Sequence, residues 1–142
     1  MMTKLISRAF TKKMHPLVLG GFAAVLSGCA ALGGGTPEEI VAKRAQSYWD
    51  ARIQGDTAKA YKFTNLAYQQ VVSEQQFGQL YRGTFAVGAA VKNVSCEPQK
   101  CDVGVNLDAN PPLMGKKMGT IAMYSKQIWL LEDGQWRLFM EP

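Results

Sequence analysis

Cys96-Glu97-Pro98-Gln99-Lys100-Cys101-Asp102-Val103-Gly104-Val105-Asn106-Leu107-Asp108 sets the architecture of this chain. After Cys101 the residues alternate, with Val103, Val105 and Leu107 on one side of an extended backbone and Asp102, Asn106 and Asp108 on the other. Successive strand side chains point to opposite faces, so this segment reads as a strand with one apolar and one wet face. Asn110-Pro111-Pro112 ends it, because proline has no N–H to give a ladder. Upstream, Phe85, Val87, Ala89 and Val91 alternate toward Cys96 and predict the other arm of a hairpin. Downstream, a long third strand is expected from about Met118 to Leu131, bent or bulged where the alternation slips between Ser125 and Gln127. Asp133-Gly134 is a two-residue turn signal, and Trp136, Leu138 and Met140 give the last strand an apolar face.

Before Gly83 the period is helical. Thr36-Pro37-Glu38-Glu39 combines a capping hydroxyl, a proline at the first helical position and a glutamate placed to close a capping box. It predicts a helix from Pro37 to about Ile53, with Ile40, Val41, Ala45, Tyr48, Trp49 and Ile53 as its buried face. Gly55 stops it, and Asp56 caps a second helix holding Ala58, Ala60, Tyr61 and Phe63. Ser73-Glu74-Gln75-Gln76 is a second capping box and opens a third helix, in which Phe77, Leu80 and Tyr81 share a face. The expected domain is thus α+β over residues 37–142, three helices packed on one face of a four-stranded antiparallel sheet.

Ahead of this domain the composition changes. The chain of 142 residues has 16 Lys+Arg against 11 Asp+Glu, a formal net charge of +5. Such a balance by itself suggests an anionic partner such as nucleic acid. Four of the basic residues, Lys4, Arg8, Lys12 and Lys13, precede a run of about eleven uncharged, mostly apolar residues, Leu17 to Ser27, and no acidic residue occurs before Glu38. A basic region, a short apolar region and small residues are the layout of an export signal, here residues 1–28. A membrane-spanning helix needs about 20 apolar residues, so a permanent span is not expected. Without the four signal bases, 12 basic residues face 11 acidic ones, and the case for nucleic acid is gone.

Leu26-Ser27-Gly28-Cys29 resembles the lipobox of bacterial lipoproteins at all four positions. The resemblance implies that Cys29 takes a diacylglycerol and, after cleavage, becomes an N-acylated (for instance palmitoylated) N-terminus. Residues 29–36 would then be a lipidated end and a flexible Gly-rich tether. Ala30 is not the aspartate that keeps similar enterobacterial lipoproteins in the inner membrane. An outer-membrane anchor facing the periplasm of a Gram-negative cell is therefore expected. Assigning Cys29 to lipid leaves Cys96 and Cys101. Two sulfurs without a histidine in the mature chain do not complete a zinc shell, and the spacing is not Cys-x-x-Cys, so a structural disulfide is favoured.

Tyr48-Trp49 in the first helix, Gly55-Asp56 followed by Ala60-Tyr61, Phe77 and Tyr81, and the segment Trp129 to Arg137, taken in order, resemble the NTF2-like (cystatin-like) superfamily. The resemblance covers residues 37–142 and implies a cone whose curved sheet wraps the first helix. The superfamily holds enzymes, ligand carriers and assembly modules, so it does not fix a function.

The chemistry-bearing residues are few. His15, the only histidine, falls in the signal. Asp102 and Asp108 lie opposite the apolar strand face, Asp56 is a cap, Asp50 flanks the buried helix stripe, and Ser95 and Ser125 lack a histidine partner. No catalytic set, metal cluster, phosphate loop or nucleotide fingerprint is present, and neither cofactor nor metal is expected. Tyr48, Trp49, Tyr61, Tyr68, Met123, Trp129, Trp136 and Met140 could line a small-molecule cavity in the cone, or simply fill the core. The loop from Asn110 to Lys117, with two prolines and Leu113, Met114, Lys116 and Lys117, could be a docking loop, a lid or a plain connection. The expected role is a non-enzymatic envelope lipoprotein that binds a protein partner or a second copy of itself. The alternatives are a carrier or sensor of a small apolar ligand and, last, a cyclase-like or isomerase-like enzyme.

Overall fold

The computed structural model describes residues 34–113, 116–117 and 119–142. The expected signal segment 1–28, the lipidation site Cys29 and most of the tether lie outside these residues, as does Met114. The order is α1 (Pro37–Ile53), α2 (Thr57–Tyr61), α3 (Leu66–Val71), α4 (Glu74–Leu80), β1 (Ala86–Glu97), β2 (Lys100–Ala109), β3 (Pro112–Leu113), β4 (Lys116–Lys117), β5 (Ile121–Glu132) and β6 (Gln135–Leu138).

The helix starts follow their capping chemistry. Thr36 Oγ1 accepts from the Glu39 N–H at 3.3 Å while Glu39 Oε2 accepts from the Thr36 N–H at 3.2 Å, and Pro37 occupies the first turn. Ser73 and Gln76 form the same reciprocal pair at the start of α4, and Asp56 accepts from the Lys59 N–H at 2.9 Å to cap α2. Gly55 ends α1 with a φ of +76°, a conformation that costs glycine nothing.

Among the described residues there are four helices, where three were expected. The unexpected one, α3, has no local cap: the Asn65 side chain accepts instead from the Met140 N–H at 2.9 Å. Its first turn is satisfied from across the domain, where the Leu66 N–H donates to Glu132 Oε2 at 2.8 Å. The buried stripe of α4 is Phe77, continued by Tyr81 just past the helix end with the two rings 4.7 Å apart, whereas Leu80, expected beside them, is exposed.

The main sheet is antiparallel in the order β1-β2-β5-β6, and β3 with β4 forms a separate two-stranded hairpin inside the expected loop. β2 is as its alternation predicts, with Val103, Val105 and Leu107 buried and Asp102, Asn106 and Asp108 exposed. Two expectations are corrected. β5 pairs with β2 from Ile121↔Ala109 to Leu130↔Lys100 without a shift, so the bulge foreseen near Ser125–Gln127 is absent. The irregularities are in β1, between Ala86 and Gly88 and between Val91 and Asn93. Each extra residue reverses the facing of what precedes it. Ala86, Ala89, Val91, Val94 and Cys96 therefore turn to the core, and Phe85 and Val87 are exposed.

α1 packs across β1, β2 and β6. Val41, Ala45 and Tyr48 meet Val103, Val105, Trp129 and Leu138 in one core. Phe77, Tyr61 and Tyr68 fill the space between the short helices, with Phe77 5.5 Å from the Tyr61 ring. Cys96 and Cys101 stand opposite each other at the turn between β1 and β2, disulfide-bonded, with Cα atoms 4.1 Å apart. Replacing both by serine should cost about 2 kcal/mol, the chain-entropy worth of so short a loop, read as a lower urea midpoint. An unchanged midpoint would mean that the turn holds its own register.

Candidate functional site

A cavity of about 450 Å³ opens between α1, the end of α4 and the middle of β5. α1 contributes Tyr48, Trp49 and Arg52, α4 is followed by Tyr81, β5 contributes Ser125, Lys126, Gln127 and Ile128, and Leu138 and Phe139 close the far side. None of these ten residues is a carboxylate, an imidazole or a thiol.

Arg52 is the unexpected member. It follows Tyr48 by one helical turn and sits only 9% exposed between two small-to-apolar neighbours, Ala51 and Ile53. Its Nη1 donates to Tyr48 Oη at 3.1 Å, and its Nη2 donates to the carbonyls of Tyr81 and Gly83 at 3.4 and 3.3 Å. The guanidinium carbon lies 5.9, 5.9 and 5.1 Å from the ring centroids of Tyr48, Phe77 and Tyr81. No carboxylate pairs with it among the described residues, whose ion pairs are Lys100–Asp102 and Arg137–Glu132. Burial raises the Tyr48 hydroxyl above the usual phenol range, and the Arg52 charge and hydrogen bond act in the opposite direction.

Two other polar groups share this wall. The Trp49 indole Nε1 is buried and finds no acceptor among the described residues. Gln127 is buried and accepts from Trp129 Nε1 at 3.3 Å through its carbonyl oxygen.

The eight residues proposed from sequence as a ligand lining separate. Tyr48 and Trp49 reach the cavity. Tyr68, Trp129 and Trp136 are buried in the core, and Tyr61 donates to the Val72 carbonyl at 2.7 Å and packs beside them. Burial first, and then the neighbouring tyrosines, push the Tyr68 phenol up to about 12. Met140 is partly buried against the core, and Met123 is half exposed on β5. Of the carboxylates, Asp50 accepts from Gln46 at 2.9 Å, Asp56 caps α2, Asp102 pairs with Lys100 at 3.3 Å, and Asp108 is exposed. No group of acidic, histidine or cysteine side chains with metal-binding placement occurs among the described residues.

The two edges of the sheet differ. On β1, Gln46 of α1 lays its amide along the strand, donating to the Ala89 carbonyl at 3.0 Å and accepting from the Val91 N–H at 3.4 Å. β5 has β6 beside it only from Trp129 to Glu132. The Leu131 N–H donates to Gln99 on the β2 side, and the Ile128 carbonyl accepts from the Phe139 N–H on the other. Backbone groups alternate in this way along an antiparallel strand, so Ala122, Tyr124 and Lys126 turn theirs away from β2. Among the described residues no strand pairs with them. Ile121, Met123, Tyr124 and Ile128 are exposed along this segment.

No protein-family model matches the chain, and no curated protein matches it in sequence. Solved structures do match in fold. A SEC-C motif containing protein from Psychrobacter arcticus superposes with a TM-score of 0.57 at 11% identity, covering 76% of this chain and 63% of that one. A SEC-C motif containing protein from Rhodopseudomonas palustris gives 0.52 at 10% identity, covering 68% and 73%. An NTF2-like protein from Campylobacter jejuni gives 0.49 at 11% identity, covering 70% of this chain and 96% of that one. At such identities the likeness is one of backbone architecture, an α+β domain with helices on a four-stranded antiparallel sheet.

Proposed function

We propose that this chain is an NTF2-like lipoprotein of the Gram-negative envelope, held in the outer membrane through lipid on Cys29, that faces the periplasm and acts without catalysis as an assembly module. The observation that carries the reading is the open edge of β5, where three residues offer backbone groups that no strand among the described residues pairs, beside exposed apolar side chains. Exposed edges are normally covered or blunted, since they template pairing with another strand. On β1, Gln46 occupies backbone groups of Ala89 and Val91, whereas no such side chain lies along Ala122 to Lys126 among the described residues, and we take β5 as the edge that is used.

The occupant we favour is the β5 edge of a second copy. Antiparallel pairing about Tyr124 would set Lys126 of each chain against Ala122 of the other, so the two lysines would not oppose each other. The cavity itself favours a second reading, a carrier or sensor of a small ligand.

A benzophenone amino acid placed at position 124 in cells should give a crosslinked band of twice the protein's mass. The same probe at Glu38, partly exposed in the first turn of α1, should not. Monomer alone at both positions overturns self-assembly, and a band of another mass at position 124 replaces the second copy by a different protein.

A further inference from the structure

The Arg52 guanidinium is a buried cation for which the described part of the fold supplies no anion. Removing a charge from water costs several kcal/mol unless charge or dipoles replace the solvent. Three aromatic faces and two carbonyls after α4 do part of this work. They engage three of the five N–H donors at most.

A second group on the same wall has the same need. The buried Trp49 N–H has no acceptor among the described residues, although buried indole N–H groups ordinarily find one. Both residues border an open cavity of about 450 Å³ whose wall is mixed: Ser125, Lys126 and Gln127 are polar, and Tyr48, Tyr81, Ile128, Leu138 and Phe139 supply flat or branched apolar surface. The cation asks for oxygen acceptors bearing a single negative charge, while the Trp49 ring borders the same space with its N–H held beneath the surface. The apolar surface asks for a flat hydrocarbon body behind those acceptors.

We infer that this cavity receives a small organic monoanion of the aryl or amphiphilic carboxylate class, with its carboxylate on the Arg52 guanidinium and its apolar body against Tyr48, Ile128 and Phe139. Lys126 stands at the solvent rim and attracts the anion without being enclosed with it. The cavity and the proposed pairing edge share Lys126 of β5, so the binding test reads the acid-to-alcohol ratio and the crosslinking test reads band mass, and the two failures are told apart by these separate readouts.

The test compares 2-naphthoate with 2-naphthalenemethanol, which share a ring system and differ in charge. The full chain is held in phosphatidylethanolamine nanodiscs, with empty nanodiscs as the blank, and titrated calorimetrically. The acid should bind about tenfold tighter than the alcohol, the discrimination expected of one charged hydrogen-bonding group. Arg52→Gln should erase that preference, Arg52→Lys should retain part of it, and Lys126→Gln should leave it standing at moderate salt. In protein labelled with 5-fluorotryptophan, the Trp49 resonance, assigned through Trp49→Phe, should move with added acid while that of the core residue Trp129 stays.

Equal affinity for acid and alcohol overturns the charge recognition while leaving an apolar cavity. Failure of both probes to bind overturns the site, and so does an acid preference that survives Arg52→Gln. Should Arg52→Gln not fold, the acid-to-alcohol ratio and the Trp49 resonance of the unmutated chain decide between these outcomes.

Discussion

Cys29→Ala is expected to abolish labelling by an alkyne analogue of palmitate and to remove the protein from the outer-membrane fraction. The chain would be released or left as an uncleaved precursor. The size of the effect follows from what else could hold the chain in a bilayer. The apolar run from Leu17 to Ser27 is about half the length a spanning helix needs. No helix among the described residues is long and apolar enough to cross a membrane. The proposed lipid, by contrast, contributes about 0.8 kcal/mol per buried methylene, and two or three chains together give a stable anchor. Removing the sulfur that carries them should therefore act as all or none. Continued labelling together with outer-membrane retention in the variant would refute the anchor. Retention without labelling would point to the β5 edge or another protein contact as the tether.

The sequence was informative where local chemistry settles local structure. Thr36 with Glu39, Ser73 with Gln76 and Asp56 with Lys59 can be read as caps because both partners lie within one turn. β2 can be read because its alternation is unbroken and one face is wet. α3 is invisible to the same reasoning, since the group that satisfies its first turn is Glu132, 66 residues away. The bulges of β1 are hidden for a related reason. Phe85, Val87, Ala89 and Val91 alternate perfectly, and only pairing with β2 shows that the first two have been turned outward.

The cavity was half legible. Tyr48 and Trp49 announce an aromatic wall, but spacing does not distinguish a ring that lines a space from one that fills it. Tyr68, Trp129 and Trp136 fill it. Arg52 was missed because an amphipathic reading counts apolar positions and assigns charged ones to solvent. The available signal was its position one turn after Tyr48 and between Ala51 and Ile53, a charge inside the apolar stripe of α1.

The same division of rings yields the largest expected loss of stability, from Trp129→Ala. Trp129 has no exposed surface, meets the Phe63 ring edge-on at 6.3 Å, and stands in register between Cys101 of β2 and Leu138 of β6. Its indole N–H is already matched to Gln127, so the substitution also leaves a buried amide oxygen without its donor. Deleting a buried tryptophan typically costs about 3–5 kcal/mol through lost transfer energy and the cavity left behind. Domains of this size have roughly 5–15 kcal/mol in all, so the urea midpoint should collapse or the protein should fail to accumulate. Met123 lies on the same strand and, by the period of two, the same face, yet is 50% exposed. Met123→Ala should stay within about 0.5 kcal/mol of the parent, as exposed positions do. If the two substitutions cost the same, Trp129 lines an accommodating space rather than the packed core. The boundary between core and cavity would then have to be drawn one layer deeper along β5, with Trp129 joining Gln127 on the ligand side.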